Sequence, residues 1–346
     1  MSNRIRVAAF WIFVAACVGS AIAYVRWRTG AAERATGISV PLYDIADPAV
    51  GAMIDGMRAK PVLFFQSASA YGRIGAVDLD NLAEQKIMDT LECERSHFGK
   101  TDGLCLVLNR ESIQPRAFAY FLDRRFQPSG RLDLAGLPIR ARVSADAKHA
   151  ASTVFVTGES YASEDFTTRT TIYDLQARKA IVDLEQFTVE RNGQPFSNVD
   201  FNYWGVTFRR DSNRFLATLG TGGKRFLVEG DIAQRRFRVI ADDVECPSLS
   251  PDERHVVFKR QRSKATGWQL WAMNMETRES WPITEDQQDI DDQVEWLDNE
   301  HVLYGMVLGS GLPEEVLGLW SSRVDKAAGK NREFFLRSAW SPAVVR

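Results

Sequence analysis

The sequence predicts an all-β fold: a six-bladed β-propeller, preceded by one N-terminal transmembrane helix. Three observations carry that expectation: an uncharged apolar run near the start, a strand-rich unit that recurs along the chain, and strands without partners at both ends. The clearest unit is Glu245-Cys-Pro-Ser-Leu-Ser-Pro-Asp-Glu-Arg-His-Val-Val-Phe-Lys259, which reads as a strand, a Ser-Pro-Asp turn and a second strand. Residues 269–277 supply a third strand and its turn, and Ser280-Trp-Pro-Ile-Thr284 a fourth. Four short antiparallel strands in about 40 residues make one propeller blade.

The unit recurs. Val294 to Tyr304 repeats its first hairpin, followed by strands at Gly318-Leu-Trp-Ser321 and Glu333-Phe-Phe-Leu336. Further copies open at Val206, at Arg142 and, in degenerate form, at Leu91. With the turn residue placed at Gly99, Asp146, Asp211, Asp252, Asp298 and Ala343, successive gaps are 47, 65, 41, 46 and 45 residues. The last turn lies at the chain's end, with no strands after it. Pro61–Phe65, Arg73–Asp78 and Gln85–Met88 are three strands lacking a first strand of their own. Closing the ring with one C-terminal and three N-terminal strands accounts for both leftovers, and it removes the open sheet edges that invite aggregation. The 65-residue gap holds an insertion, Leu184 to Asn202, in which Asn192-Gly193 signals a hairpin. Because the insertion joins a fourth strand to a first strand, it is expected at the channel mouth.

Residues 1–30 form a separate unit, 31–59 a linker and entry segment, and 60–346 the propeller. Val7 to Val25 carries no charge and is flanked by arginines at 4, 6, 26 and 28. As a helix it would rise ~28 Å, close to the bilayer's hydrocarbon thickness. A retained signal anchor fits the unbroken length. A signal peptide cleaved after Ala21-Ile22-Ala23, or a lipoprotein signal at Cys17, remains an alternative. Lys and Arg balance across the two flanks, so charge does not set the orientation.

Ser248-Leu-Ser-Pro-Asp252, Leu270-Trp-Ala-Met-Asn274 and Trp281-Pro-Ile-Thr284 resemble the repeat of TolB-like propellers. Asn202-Tyr-Trp-Gly-Val-Thr-Phe208, Asp292-Gln-Val-Glu-Trp-Leu-Asp298 and Trp340-Ser-Pro-Ala-Val-Val-Arg346 are similar to segments of bacterial TolB-like translocation proteins. The resemblance covers most of residues 60–346. It implies a six-bladed ring on the extracytoplasmic side of the bacterial cytoplasmic membrane, held there by a single pass, and it implies no enzyme chemistry. Between Arg28 and Lys60 there is too little chain for the separate α/β domain of the Tol–Pal protein, so that protein's role does not carry over.

No residue pattern points to catalysis, a cofactor or a metal. His149, His255 and His301 share one repeat position, which spreads them around the ring, and His97 has no evident partner. Leu219-Gly-Thr-Gly-Gly-Lys224 precedes a strand, not a helix, and reads as a hairpin turn instead of a phosphate loop. The acidic run from Glu285 to Asp292 lacks the glycine and distal glutamate of a calcium loop. A net charge of -2 gives no footprint for nucleic acid. Cys93 and Cys105 both stand six residues from Gly99, facing each other across a hairpin centred there and within reach of a disulfide. Cys246 is expected to be free. A cluster of arginines and lysines between Arg209 and Lys264 borders the acidic run. The function expected is non-catalytic binding of a protein or cell-envelope polymer, through Asn192, Gly193, Asp289, Asp291 and Asp292. The alternative is an extracytoplasmic hydrolase or lyase with its site at the channel mouth.

Overall fold

The computed structural model describes residue 20 and residues 41–346, apart from 111–113, 159–165, 262–266, 286–289, 291, 308–316 and 329–331. Six sheets follow one another around an axis, making a six-bladed propeller. The innermost strands are Arg95–Phe98, Leu137–Val143, Asn202–Phe208, Glu245–Leu249, Glu295–Trp296 and Ala339–Val345. Each touches the next in that order, and the last touches the first.

The closing blade, here the first, runs Ala339–Val345, Val62–Ser67, Ile74–Asp78 and Asn81–Asp89 from the axis outward. Its inner strand is C-terminal and pairs antiparallel with Val62–Ser67, Val345 opposite Val62 and Ala339 opposite Ser67. One C-terminal and three N-terminal strands therefore close the ring. Ala343 is not a turn residue, as the repeat count had it; it lies within the strand, opposite Phe64. Ser341-Pro342 corresponds instead to Cys246-Pro247, because each pair opens on a left-handed residue, φ 48° and 50°. Gly205 takes φ 68° at the matching place in the fourth blade. In all three blades the pairing of the inner strand slips there by a β-bulge. A Cβ on Gly205 would lie 2.7 Å from the Cys246 Cα, so the close approach of two inner strands also requires glycine.

The aspartate turns follow one plan. The carboxylates of Asp146, Asp211, Asp252 and Asp298 accept the backbone N–H two residues on, from Lys148, Asn213, Arg254 and Glu300. These turns join first to second strands and define one face of the ring, the turn face. Connections from fourth to first strands lie on the other, the loop face. Gly222 and Gly223, both at positive φ, make the tight hairpin expected between Arg214–Thr221 and Lys224–Asp231.

Blades pack face against face through aromatic and aliphatic side chains. Phe64 of the first blade meets Phe98 and Phe126 of the second edge-on, each at 5.2 Å between ring centroids. Full burial of one such ring contributes about 1.5–3 kcal/mol. The entry segment adds to that seam. Leu42–Asp44 pairs in parallel with the outermost strand of the first blade. Helix α1, Pro48–Met57, is capped by the Asp47 side chain and buries Ile54 among Phe64, Phe98 and Phe126. Val7–Val25 lies outside the described residues except for Ser20. Among the described residues no helix is long and apolar enough to cross a membrane.

Removing residues 340–346 strips the inner strand from the first blade and exposes both neighbouring seams. The truncated protein is expected to lose its single cooperative thermal transition. An unchanged melting profile would overturn the closure.

Candidate functional site

Three inner strands send charged or titratable side chains to one point on the axis. His97, Arg142 and Glu295 come from the second, third and sixth blades, and their side chains are only 6%, 11% and 10% exposed. His97 Nε2 lies 3.3 Å from Glu295 Oε2, and Arg142 Nη1 makes a close ion pair with the same oxygen. The Val143 N–H donates to His97 Nδ1 at 3.1 Å, and Nε2 lies between Arg142 Nη1, at 3.0 Å, and the Glu295 carboxylate. Glu295 Oε1 accepts from Val344 N–H of the first blade, and Arg142 Nη2 donates to the Val294 carbonyl. Four of the six blades are thus tied together at the axis.

Burial shifts these groups strongly. It pulls the His97 imidazole below its ordinary value, and Arg142 adds to the effect, so His97 is neutral near pH 7. Burial alone would raise the Glu295 carboxyl, but Arg142, His97 and Arg346 outweigh it and hold it at about 2. An acid/base pair therefore does exist, although from sequence alone His97 has no evident partner. Its parts lie on strands nearly 200 residues apart in sequence, and only the ring closure brings them together. Both imidazole nitrogens and both carboxylate oxygens have protein partners.

The cluster is the floor of a recess that opens on the turn face. This cavity, about 260 Å³, is lined by Lys100, Arg209, Arg210, Glu253, Trp296 and Arg346 among others. Behind the floor a void of about 20 Å³ is bounded by Arg140, Cys246 and Gln293.

The residues expected to bind a partner do not assemble. Asn192 and Gly193, at φ 53° and 74°, make the hairpin between Thr188–Arg191 and Gln194–Phe196. That hairpin does not stand at the channel mouth: its first strand pairs in parallel with Arg236–Asp242, the outermost strand of the fourth blade, and extends that sheet away from the axis. Asp292 is occupied by the framework. Its Oδ2 accepts from the N–H groups of Gly305 and Ser341 at 3.0 and 2.7 Å, and Oδ1 from the Ser341 hydroxyl. Asp289 and Asp291 lie outside the described residues. Much of the basic cluster is neutralised, with Arg209 and Arg238 on Glu229, Arg225 on Glu245 and Arg260 on Asp243. Cys93 and Cys105 are joined by a disulfide, with Cα atoms 5.4 Å apart, and Cys246 is a buried thiol outside it. The two half-cystines are not opposed in register, for Cys105 faces Ser96. Cys93 enters from the loop before that strand, its N–H bonded to the Gly72 carbonyl. Among the described residues no group of three His, Cys, Asp or Glu side chains could hold a metal ion.

No protein-family model matches the sequence, and neither does any curated protein. Solved structures do match. A TolB from Acinetobacter baumannii superposes over 84% of this chain and 67% of its own, at 13% identity and a TM-score of 0.54. The likeness is to the TolB propeller. A chain of the nidogen–laminin complex matches over 83% of this chain and 98% of its own, at 9% identity and a TM-score of 0.52. An oligogalacturonate lyase in complex with manganese superposes more loosely, at 12% identity, with coverages of 74% and 73% and a TM-score of 0.45. At these identities the TolB likeness is one of fold.

Two measurements check this account. Unfolded chains protonate histidine near pH ~6.5, whereas folded His97 resists the proton, so stability should fall as pH drops below that value. It should fall further below pH ~4.5, as unfolded glutamate takes up a proton that Glu295 declines until about 2. Thermal melts of Glu295→Gln should show a flatter acid limb. Glu295→Ala, which leaves Arg142 buried and unpaired, should cost about 3–5 kcal/mol. Thiol titration of the unfolded, non-reduced propeller should find Cys246 reactive and Cys93 and Cys105 silent.

Proposed function

We propose that this propeller is a non-catalytic binding module that docks a protein partner at the recess on the turn face. The observation that carries the reading is the floor of that recess, where His97 and Glu295 are engaged by one another, by Arg142 and by backbone N–H groups. A binding site gains from such a floor, because a rigid, closed base lets the rim loops hold a ligand at little ordering cost. An enzyme would need one of those groups released from its protein partners to act on a substrate.

We also propose that Val7–Val25 tethers the ring to the cytoplasmic membrane, with the propeller outside. The uncharged run between arginines supports the tether. The Cys93–Cys105 disulfide supports the side, since such bonds persist in oxidising compartments.

A photoreactive amino acid at Ala145, in the recess, should crosslink a discrete partner in intact cells, while the same group at Gly193 should not. Crosslinking from Gly193 alone would move the docking surface to the outer hairpin of the fourth blade. Saturable turnover of an envelope polysaccharide or peptide, abolished by Glu295→Gln, would make the protein a hydrolase or lyase instead.

A further inference from the structure

The charges around the recess are unequal once their partners are counted. Glu253 accepts from Arg209 Nη1 and from the backbone N–H of Arg210, and Glu295 is bonded within the floor. Both lining glutamates are therefore occupied. Three lining cations have no carboxylate partner among the described residues. Lys100 makes no side-chain ion pair, Arg210 uses only Nε, toward the Pro251 carbonyl, and Arg346 uses only Nη2, toward the carbonyls of Trp296 and Leu297. They come from the second, fourth and first blades and face the same cavity. With both glutamates occupied, these cations leave the rim positive.

A fourth cation lies beneath the rim. Arg58, just after α1, is packed over the Phe64 and Phe126 rings at 4.6 and 5.2 Å. Its Nη1 donates to the carbonyls of Gly99 and Lys100, while Nε and Nη2 are buried without a hydrogen-bond partner. Asp102 and Asp123 act on it only through space. A guanidinium in so apolar a setting projects its field through a medium of low dielectric into the adjoining recess. The wall between the cations is apolar, made by Phe98, Phe208, Leu249 and Trp296.

We propose that the recess takes an acidic peptide segment, its Asp or Glu side chains meeting Lys100, Arg210 and Arg346 and its apolar side chains lying on the wall. This assignment rests on the docking reading above and names the chemistry of the partner. Basic segments are repelled, which confers selectivity as well as attraction.

The test uses the full chain in detergent with labelled oligoglutamate, oligolysine and oligothymidine as probes. Oligoglutamate should bind saturably and oligolysine should not. Binding should fade as salt shortens the Debye length from ~10 Å at ~0.1 M toward ~3 Å at ~1 M. Combining Lys100→Glu, Arg210→Glu and Arg346→Glu should raise the Kd by roughly 30-fold, a few-fold per reversed exposed contact. Should the combined variant fail to fold, Lys100→Glu alone touches no structural bond and should still weaken binding by roughly 3-fold. Unchanged affinity in the folded variants overturns the proposal, and so does tighter binding of oligothymidine, which would make the site a reader of phosphate. If oligoglutamate does not bind but Ala145 still crosslinks a partner, the acidic assignment falls and the docking reading stands. Loss of both signals removes both.

Discussion

Everything on the axis depends on one buried carboxylate. Glu295 holds Arg142, faces His97 and receives Val344, so three inner strands and the closing strand all meet at its two oxygens. Neighbouring inner strands are also joined in pairs, by Arg95 to the Ile139 carbonyl, Leu249 N–H to the Thr207 hydroxyl and Trp296 to the Ser248 carbonyl, whereas Glu295 gathers several at once. An ion cluster at the centre fixes the spacing of the strands. Charged groups so poorly solvated survive only when paired, and closing the ring is what brings these partners together.

The periphery follows a different logic. Aspartate turns and seams of aromatic rings repeat from blade to blade, so each needs only local sequence to form. Bulges at Gly205, Cys246 and Ser341 break that regularity where inner strands approach most closely. The fold thus combines strong repetition outside with irregular, mutually dependent contacts inside. Recognition on the turn face draws on both, as repeated turns form its rim and the irregular axis its base.

That division explains how much the sequence disclosed. Blade count and the mixed closing blade were legible, because turn chemistry and strand alternation are local signals that recur; the entry strand Leu42–Asp44 was not. Ala343 misled because Ser-Pro also marks the inner-strand bulge, so the same dipeptide has two structural meanings here. Asn192-Gly193 declared its hairpin but not its place, since nothing local says which strand a hairpin will pair with. The His97–Glu295 contact was illegible for a stronger reason. Its members occur in blades that are far apart in sequence and neighbours only across the axis; the one available hint was that inner strands carried histidine, arginine and glutamate where apolar residues were expected. Asp292 looked like surface charge because it follows an acidic run, yet its carboxylate faces inward to two backbone amides.

The entry segment has a mechanical consequence. Any pull on the chain from its N-terminal side reaches the short parallel strand Leu42–Asp44 first and then α1, whose Asp55 grips Arg124 and Arg125 of the second blade. Only after these yield does force arrive at Val62, where the ring is fastened to its own C-terminus. The strap is weak in itself, with three paired residues and one helix, but it stands in series ahead of the clasp. It acts as a fuse: moderate tension would peel the strap and leave all six blades closed.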